Sequence, residues 1–497
     1  MIWTSLDFRP VIAVLIPLAA SGQIYVLGEH VHRNVRECFT FVAAFLMAGT
    51  VYSMIPAVLS GQSIQYTVLE IVKGIGLRFN VDAAGIVFAC VSSTLWILTS
   101  CYSVGYMRGH GEKNQTGYYS AFAMCLTATM GLCFAGNLIT FFIFFEILTV
   151  ATYPLVIHYR DEEGTRSGRK YLAYTLISGQ LFFAGIVVLY SVAGTMDFVP
   201  GGFVEKNMMP RGAILAVFLL MVGAGLVKAG VMPFHSWLPA AMVAPTPVSA
   251  LLHAVAVVKA GAFCTFRIVL YVFGPDMAKY CRGADILAWM AVATILISSL
   301  IAIRKDNLKA RLAFSTVGQL SYIILGIAIL SPFAATGALY HIVAHAFMKI
   351  TLFMCAGAIF VTTHKKNISE MIGIGRRMPV TMTCFTAASL AVAGFPFFVG
   401  FVSKANIIMG ATAMGKPFFT ATLIASALLA LTYLMPVVLV AFKKDFCNEE
   451  FQCYGEASPA MLVPLMITTV VSIVLGVAPN FGLHLYDFAV MAGSAIF

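Results

Sequence analysis

The chain has 497 residues, 60% of them hydrophobic and only 10% charged. Soluble domains are about 45–50% apolar and about 25% charged, so a soluble globular protein is excluded and the bilayer sets the unit of length, ~20 apolar residues per helical crossing. The net charge of +10, from 31 basic and 21 acidic residues, records membrane topology in such a chain rather than nucleic-acid binding.

Taken in order, apolar stretches near or above the spanning length lie at about 10–28, 38–59, 83–107, 118–135, 137–157, 171–193 and 212–230. They continue at about 246–273, 284–303, 308–330, 334–361, 379–409, 417–442 and 459–478. This predicts an all-α polytopic membrane protein of about fourteen transmembrane helices. The closest divisions fall at Gly136-Asn137 and in a proline-rich break before Thr246. Asp7 and Arg9 precede the first stretch without a small-residue cleavage site, which predicts a retained helix. Residues 64–81 are too polar to span. Their partial alternation, with Gly74 and Gly76 as turn residues, predicts an external β-hairpin.

Lysine and arginine concentrate in the connections after odd-numbered stretches, for example Arg166, Arg169 and Lys170, Arg304 and Lys305, Lys365 and Lys366, and Lys443 and Lys444. Basic loops stay on the cytoplasmic side, so both termini are expected outside, with the chain in the cell's inner (plasma) membrane. Eleven cysteines are scattered, most within apolar stretches, where they read as small buried hydrophobes. Cys447 and Cys453 share a loop without metal-ligand spacing, and there is no haem-attachment or ferredoxin-like run. No cofactor and no metal are expected.

A charge at the centre of a membrane helix costs about 2.5–3.5 kcal/mol, which singles out the ionisable residues inside the stretches. Glu146 sits within Phe141-Phe142-Ile143-Phe144-Phe145-Glu146-Ile147-Leu148 and needs a cation or water to stay charged. Lys228 precedes Pro233 by five residues, and Pro233, Pro239, Pro245 and Pro247 preclude one continuous helix. Such a break is tolerated only where protein covers it or it lines water. Beyond it come Ser249, His253 and Lys259. On one continuous helix the last two are about 120° apart, so Lys259 is the favoured proton carrier and His253 a polar partner beside the path. His235 reads as an interfacial loop residue. His341, His345 and Lys349, spaced four and four, share one helix face and read as a proton relay, since imidazole titrates near neutrality. Lys404 follows a second Gly/Pro break at Gly394 and Pro396. Two interrupted helices, each with a lysine beside its break, point to two halves repeated around an ion path.

These motifs are familiar as a set. Val231-Met232-Pro233-Phe234-His235-Ser236-Trp237-Leu238-Pro239, Ala244-Pro245-Thr246-Pro247-Val248-Ser249-Ala250-Leu251-Leu252-His253, His345-Ala346-Phe347-Met348-Lys349 and Gly400-Phe401-Val402-Ser403-Lys404 resemble the antiporter-like subunits of respiratory complex I. That superfamily includes the Mrp sodium/proton antiporters and the membrane arms of energy-converting hydrogenases. The resemblance implies two inverted five-helix repeats with crossings seven and twelve broken. The expected units are residues 1–117 (three helices and the hairpin), 118–273 (first repeat), 274–442 (second repeat) and 443–497. It also implies that Glu146 is the fifth-helix carboxylate, Lys228 its seventh-helix partner, and Lys259 or His253 the eighth-helix residue. Lys349 becomes the connecting lysine of helix eleven and Lys404 the terminal residue of helix twelve. Lysine at 404 and about twenty residues after the last stretch, in place of a long lateral helix, bring the likeness nearest to the D-type subunit of Mrp antiporters.

The expected function is proton translocation along a buried Glu/Lys/His axis, in a complex with other integral membrane subunits in the lipid bilayer and without nucleic acid. The rivals are sodium/proton exchange on the same fold, a stand-alone solute transporter, and a redox subunit holding quinone or haem.

Overall fold

A computed structural model describes residues 7–72, 75–443 and 455–497. Lys73, Gly74, Lys444, Cys447 and Cys453 lie outside the described residues. The first helices are α1 (Arg9–Leu27), α2 (Arg33–Tyr52) and the short α3 (Ile55–Leu59), followed by strands β1 (Ile64–Val72) and β2 (Ile75–Val81). Next come α4 (Ala83–Gly109), α5 (Gln115–Cys133), α6 (Leu138–Val156), α7 (Glu162–Ala193), α8 (Arg211–Ala229), α9 (Trp237–Ala240), α10 (Thr246–Ala254), α11 (Val257–Arg267) and α12 (Gly274–Tyr280). The remainder is α13 (Gly283–Arg304), α14 (Leu308–Ala328), α15 (Pro332–Thr363), α16 (Pro379–Ala393), α17 (Val399–Ala413), α18 (Pro417–Ala441), α19 (Pro459–Val477) and α20 (Leu485–Ile496).

Among the described residues, 12 segments are long and apolar enough to cross a membrane. Two of the fourteen stretches read from the sequence are outside that set. One is α5, which has 19 residues but carries Gln115, Tyr118, Tyr119, Ser120 and three threonines. The other is the α16/α17 pair, two helices of 15 residues each. The division at Gly136-Asn137 is real, because the Asn137 side chain accepts a hydrogen bond from Thr140 N and caps α6. The sequence reading did not foresee α20, a 12-residue apolar helix packed on α15 and α4.

The β-hairpin is present, with Ile64 opposite Val81 and Tyr66 opposite Phe79. It pins the α5–α6 connection: Asn80 N donates to Phe134 O at 2.7 Å, Gly136 N to Arg78 O at 2.8 Å, and Arg78 N to Thr140 Oγ1 at 2.9 Å. An Arg78–Asp197 ion pair of 2.7 Å ties the same corner to the chain after α7.

Two segments form the enclosed centre: α15, and the run Thr246–Tyr280 that holds α10 to α12. Around them α1, α7, α18 and α19 turn most of their apolar surface outward, as lipid or neighbouring membrane helices require. Close approach of α8 and α11 depends on glycine. A Cβ on Gly261 would lie 2.4 Å from Ala229 N, and one on Gly225 2.4 Å from Thr265 Oγ1. Small residues of this kind let membrane helices touch backbone to backbone.

Buried Arg267 is held by a carboxylate through its two terminal nitrogens, while its Nε has no hydrogen-bond partner among the described residues. Arg267 at the end of α11 meets Asp82 through Nη1–Oδ2 at 2.5 Å and Nη2–Oδ1 at 2.7 Å, with the rings of Phe263, Phe198 and Tyr271 around its guanidinium. Asp82 also caps α4 by accepting from Gly85 N. Removing one partner of such a pair leaves an uncompensated buried charge. Asp82→Ala is expected to destabilise the protein by roughly 3 kcal/mol, the lower end for buried pairs because Asp82 is partly exposed. Thermal unfolding of the purified protein would register it, and Asp82→Asn combined with Arg267→Met should recover much of the loss.

Candidate functional site

Three helix interruptions shape the interior. After Lys228 the chain passes Gly230 in the left-handed region, a cis Met232-Pro233 bond and a 3-10 turn at Phe234–Ser236 before α9. The freed polar groups find partners, Trp237 Nε1 donating to Val227 O at 2.8 Å and Met232 N to Thr294 Oγ1 at 3.1 Å. The second interruption, from Gly394 to Phe398, separates α16 from α17. The third lies at Val255-Ala256, between α10 and α11. It corrects the assumption of one continuous helix: the 120° separation of His253 and Lys259 does not hold, because they belong to different helices.

Lys228, His253, Lys259, His341, His345, Lys349 and Lys404 are all buried. Each lysine is anchored on a main-chain carbonyl. Lys228 Nζ donates to Phe145 O at 2.5 Å and lies 3.2 Å from the Phe145 ring centroid. Lys259 Nζ donates to Ile342 O at 3.0 Å and contacts His345 Nδ1 at 2.6 Å. Lys349 Nζ donates to Ser315 Oγ at 2.5 Å and Leu312 O at 3.3 Å. Lys404 Nζ donates to Val392 O at 2.5 Å and lies 4.6 Å from the Tyr322 ring centroid.

Glu146 and Lys228 share no hydrogen bond. The Glu146 carboxylate oxygens are buried without a protein partner. The side chain lies against α7 where Gly179 has no side chain, since a Cβ there would come within 2.1 Å of Oε1. Glu146 and Lys228 act on each other only through Coulomb attraction.

The 2.6 Å contact of Lys259 with His345 joins α11 to α15. Two positive charges even 4 Å apart repel by about 4 kcal/mol at an effective dielectric constant of 20, so this pair holds one charge at a time. From His345 the row continues along α15 to His341, its ring centroid 6.2 Å away. His341 Nδ1 meets Ser403 Oγ at 2.8 Å and its ring stacks on Tyr322, centroids 5.6 Å apart. Ser403 adjoins Lys404, and Tyr322 is shared by His341 and Lys404. The expected face of α15 is therefore present, with one difference: Lys349 turns to α14 instead of joining the row.

A cavity of about 800 Å³ opens on the side of the basic loops. Lys170, Lys309, Lys366, Tyr159 and Thr246 are among its lining residues. Thr246 starts α10, and Ser249 and His253 follow on the same face at spacings of three and four. Ser249 Oγ and both His253 ring nitrogens are buried without a protein partner, a polar file from the cavity wall to the level of Phe353, whose ring centroid lies 4.7 Å from that of His253. His235 is part-buried in the first break, 6.0 Å from the Phe314 ring, and outside this file. Among the described residues no group of His, Cys, Asp and Glu gathers to hold a metal.

The sequence reading missed Tyr322, Ser315 and Tyr433, which touch the axis lysines or their partners. One signal could have found the first two. The α14 span is among the least apolar of the crossings, yet it is almost wholly enclosed, so its Ser315, Thr316, Gln319 and Ser321 face protein.

A many-helix membrane protein with titratable side chains buried along its enclosed centre and a basic-side vestibule belongs among ion-translocating proteins. The sequence matches the family described as NADH:quinone oxidoreductase/Mrp antiporter, TM, over residues 135–430. The chain belongs to that family and is an antiporter-like subunit of the Mrp and complex I type. It is 28% identical over 482 residues to NADH-quinone oxidoreductase subunit N of Desulforudis audaxviator, covering 94% of this chain and 95% of that one. It is 31% identical over 397 residues to a subunit of a probable K(+)/H(+) antiporter of Rhizobium meliloti, covering 79% of this chain but 38% of that one. Its fold is similar to a chain of the archaeal membrane-bound sulfane sulfur reductase, with a TM-score of 0.88, 23% identity, and 99% and 98% of the two chains covered.

At the cavity mouth, Glu112 lies between α4 and α5. It accepts from Tyr159 at 2.7 Å, contacts His110 at 3.0 Å and lies 3.7 Å from His158. Burial works to raise its pKa, but His158, Tyr159 and His110 together hold the carboxyl below its ordinary value. The stability it contributes is present above the unfolded-state pKa and is lost as pH falls through the lowered folded value. Between about pH 5 and pH 3 the unfolding temperature of the wild type should therefore fall more steeply than that of Glu112→Gln.

Proposed function

We propose that this chain is the proton-translocating subunit of a larger membrane complex. Protons enter through the basic-side cavity and pass by Thr246, Ser249 and His253 to the Lys259–His345 pair. They continue through His341 and Ser403 to Lys404 and leave at the opposite face. Lys228, in Coulomb contact with Glu146, sets by its own charge how readily Lys259 is occupied, which is the coupling lever. The observation that carries this reading is the 2.6 Å Lys259–His345 contact, a link able to pass a proton between the two segments that form the enclosed centre.

The reading extends to arrangement. The basic face is cytoplasmic, the membrane is the plasma membrane and both termini lie outside. There are fourteen crossings, with α5 and the α16/α17 pair completing the set, in units 1–117, 118–273, 274–442 and 443–497. The two middle units are inverted repeats. The partners are other integral membrane subunits, supported by the names of the relatives, which are themselves subunits, and by the membrane complex that houses the structural neighbour. The D-type likeness to Mrp antiporters belongs to this proposal. The name of the Rhizobium meliloti relative supports a second reading, exchange of an alkali cation for protons on the same axis. Exchanging sodium for potassium in a vesicle assay separates the two.

Proton movement in vesicles carrying the native complex tests the route. Lys259→Ala and His345→Ala should each lower it by roughly 10²-fold or more, the scale of a lost proton-transfer group, and Lys228→Ala should uncouple it. Undiminished transport in Lys259→Ala would remove the link from the path.

A further inference from the structure

The polar face of α15 carries three titratable groups at four-residue intervals, but they do not behave alike. His341 and His345 bond toward α17 and α11, whereas Lys349 is drawn to α14. Its holder is the Leu312 carbonyl at 3.3 Å together with the Ser315 hydroxyl, which Tyr433 supports from behind. Ser315 Oγ takes the ammonium at 2.5 Å and shares a 2.9 Å hydrogen bond with Tyr433 OH from α18. Behind them stands a rigid frame: Arg311 donates to Tyr433 O at 2.9 Å, to Lys305 O at 2.8 Å and to Ile303 O at 3.3 Å, tying α13, α14 and α18 together.

On the other side of Lys349 lie unsatisfied groups. His345 Nε2, one helical turn away on the same face, and both ring nitrogens of His253 are buried without a protein partner. Side chains four residues apart on a helix are neighbours, so rotation of the long lysine side chain brings its ammonium from Ser315 to these nitrogens.

We propose that Ser315 and Tyr433 are positioning residues that hold Lys349 off the proton path, and that Lys349 joins the path by leaving them for His345 and His253. The pair acts as a valve between the His253 file and the Lys259–His345 link. It rests on the reading of the axis given above. With Lys349 on Ser315 the file and the link are separated, so a proton does not run back to the basic side. With Lys349 between the histidines they are joined. Positive charge on Lys259, which contacts His345 at 2.6 Å, repels the ammonium from these nitrogens toward the Ser315 clamp.

The test uses the native complex with Ser315→Ala, Ser315→Thr and Tyr433→Phe, followed by electron cryomicroscopy and by passive proton leak in vesicles. Loss of one hydrogen bond to a charged group shifts an equilibrium by roughly tenfold or more. In Ser315→Ala the Lys349 side chain should therefore be seen turned toward His345 and His253, and the leak should rise by about that factor. Tyr433→Phe, which keeps Ser315, should show a smaller rise, and Ser315→Thr, which keeps the hydroxyl, should restore both position and leak. Lys349 unmoved in Ser315→Ala, water filling the histidine nitrogens while leak stays at the wild-type level, or failure of Ser315→Thr to rescue would each overturn the valve. Any of these beside a transport-dead Lys259→Ala leaves the axis standing, whereas active Lys259→Ala removes the axis itself.

Discussion

The structure depends on how an ammonium group is kept inside an apolar helix bundle without a carboxylate beside it. A buried salt bridge with good geometry holds its charge firmly, and Arg267 with Asp82 is such a pair. None of the four axis lysines is held that way. Each rests on a peptide carbonyl: Phe145, Ile342, Leu312 or Val392. A carbonyl accepts a hydrogen bond from a charged or a neutral amine, so losing the proton does not strand an opposite charge in a low-dielectric interior. This is the property a proton relay needs and a structural ion pair lacks.

The helix interruptions supply part of this arrangement. In an unbroken helix Val392 O would accept from the N–H four residues on, but that residue is Pro396, which has none. Lys404, in the following helix α17, donates to that carbonyl instead. At the other break Trp237 Nε1 performs a similar service for Val227 O, leaving the Lys228 ammonium free to reach across to α6. The negative end of the α8 dipole faces Lys228 in its last turn, whereas Lys259 sits in the first turn of α11 at the positive end. Two neighbouring lysines on helices in backbone contact thus feel opposite local fields.

Much of this was legible in the residues. Ionisable groups cannot hide in apolar stretches, so Glu146 and the Lys/His set stood out, and proline marked two of the three interruptions. The third was silent because Val255-Ala256 holds neither glycine nor proline, and it changed which groups His253 and Lys259 face. Hydroxyls were silent for another reason. Ser315, Tyr322, Ser403 and Tyr433 are ordinary in a membrane helix until a partner from another helix gives them a role, and long-range pairing leaves no periodic trace. The direction of a flexible side chain escaped as well: one helix face correctly grouped His341, His345 and Lys349, yet the lysine left that row for α14. The helix α20 was passed over because 12 residues fall short of a crossing.

The axis also explains why α15 is the longest uninterrupted element at the enclosed centre while three segments near it are interrupted. A relay needs donor and acceptor spacings fixed to within a hydrogen bond, and a 32-residue continuous helix supplies a rigid ruler on which His341 and His345 keep a one-turn separation. Adjustment is left to the surrounding segments, where the interruptions at Gly230, Val255 and Gly394 sit beside Lys228, Lys259 and Lys404. Breaking α15 would blur the spacing between relay groups, and an unbroken set of neighbours would withhold the carbonyl that Lys404 uses. Stiffness in one element and interruption in its partners are thus two requirements of the same chemistry, met by different helices.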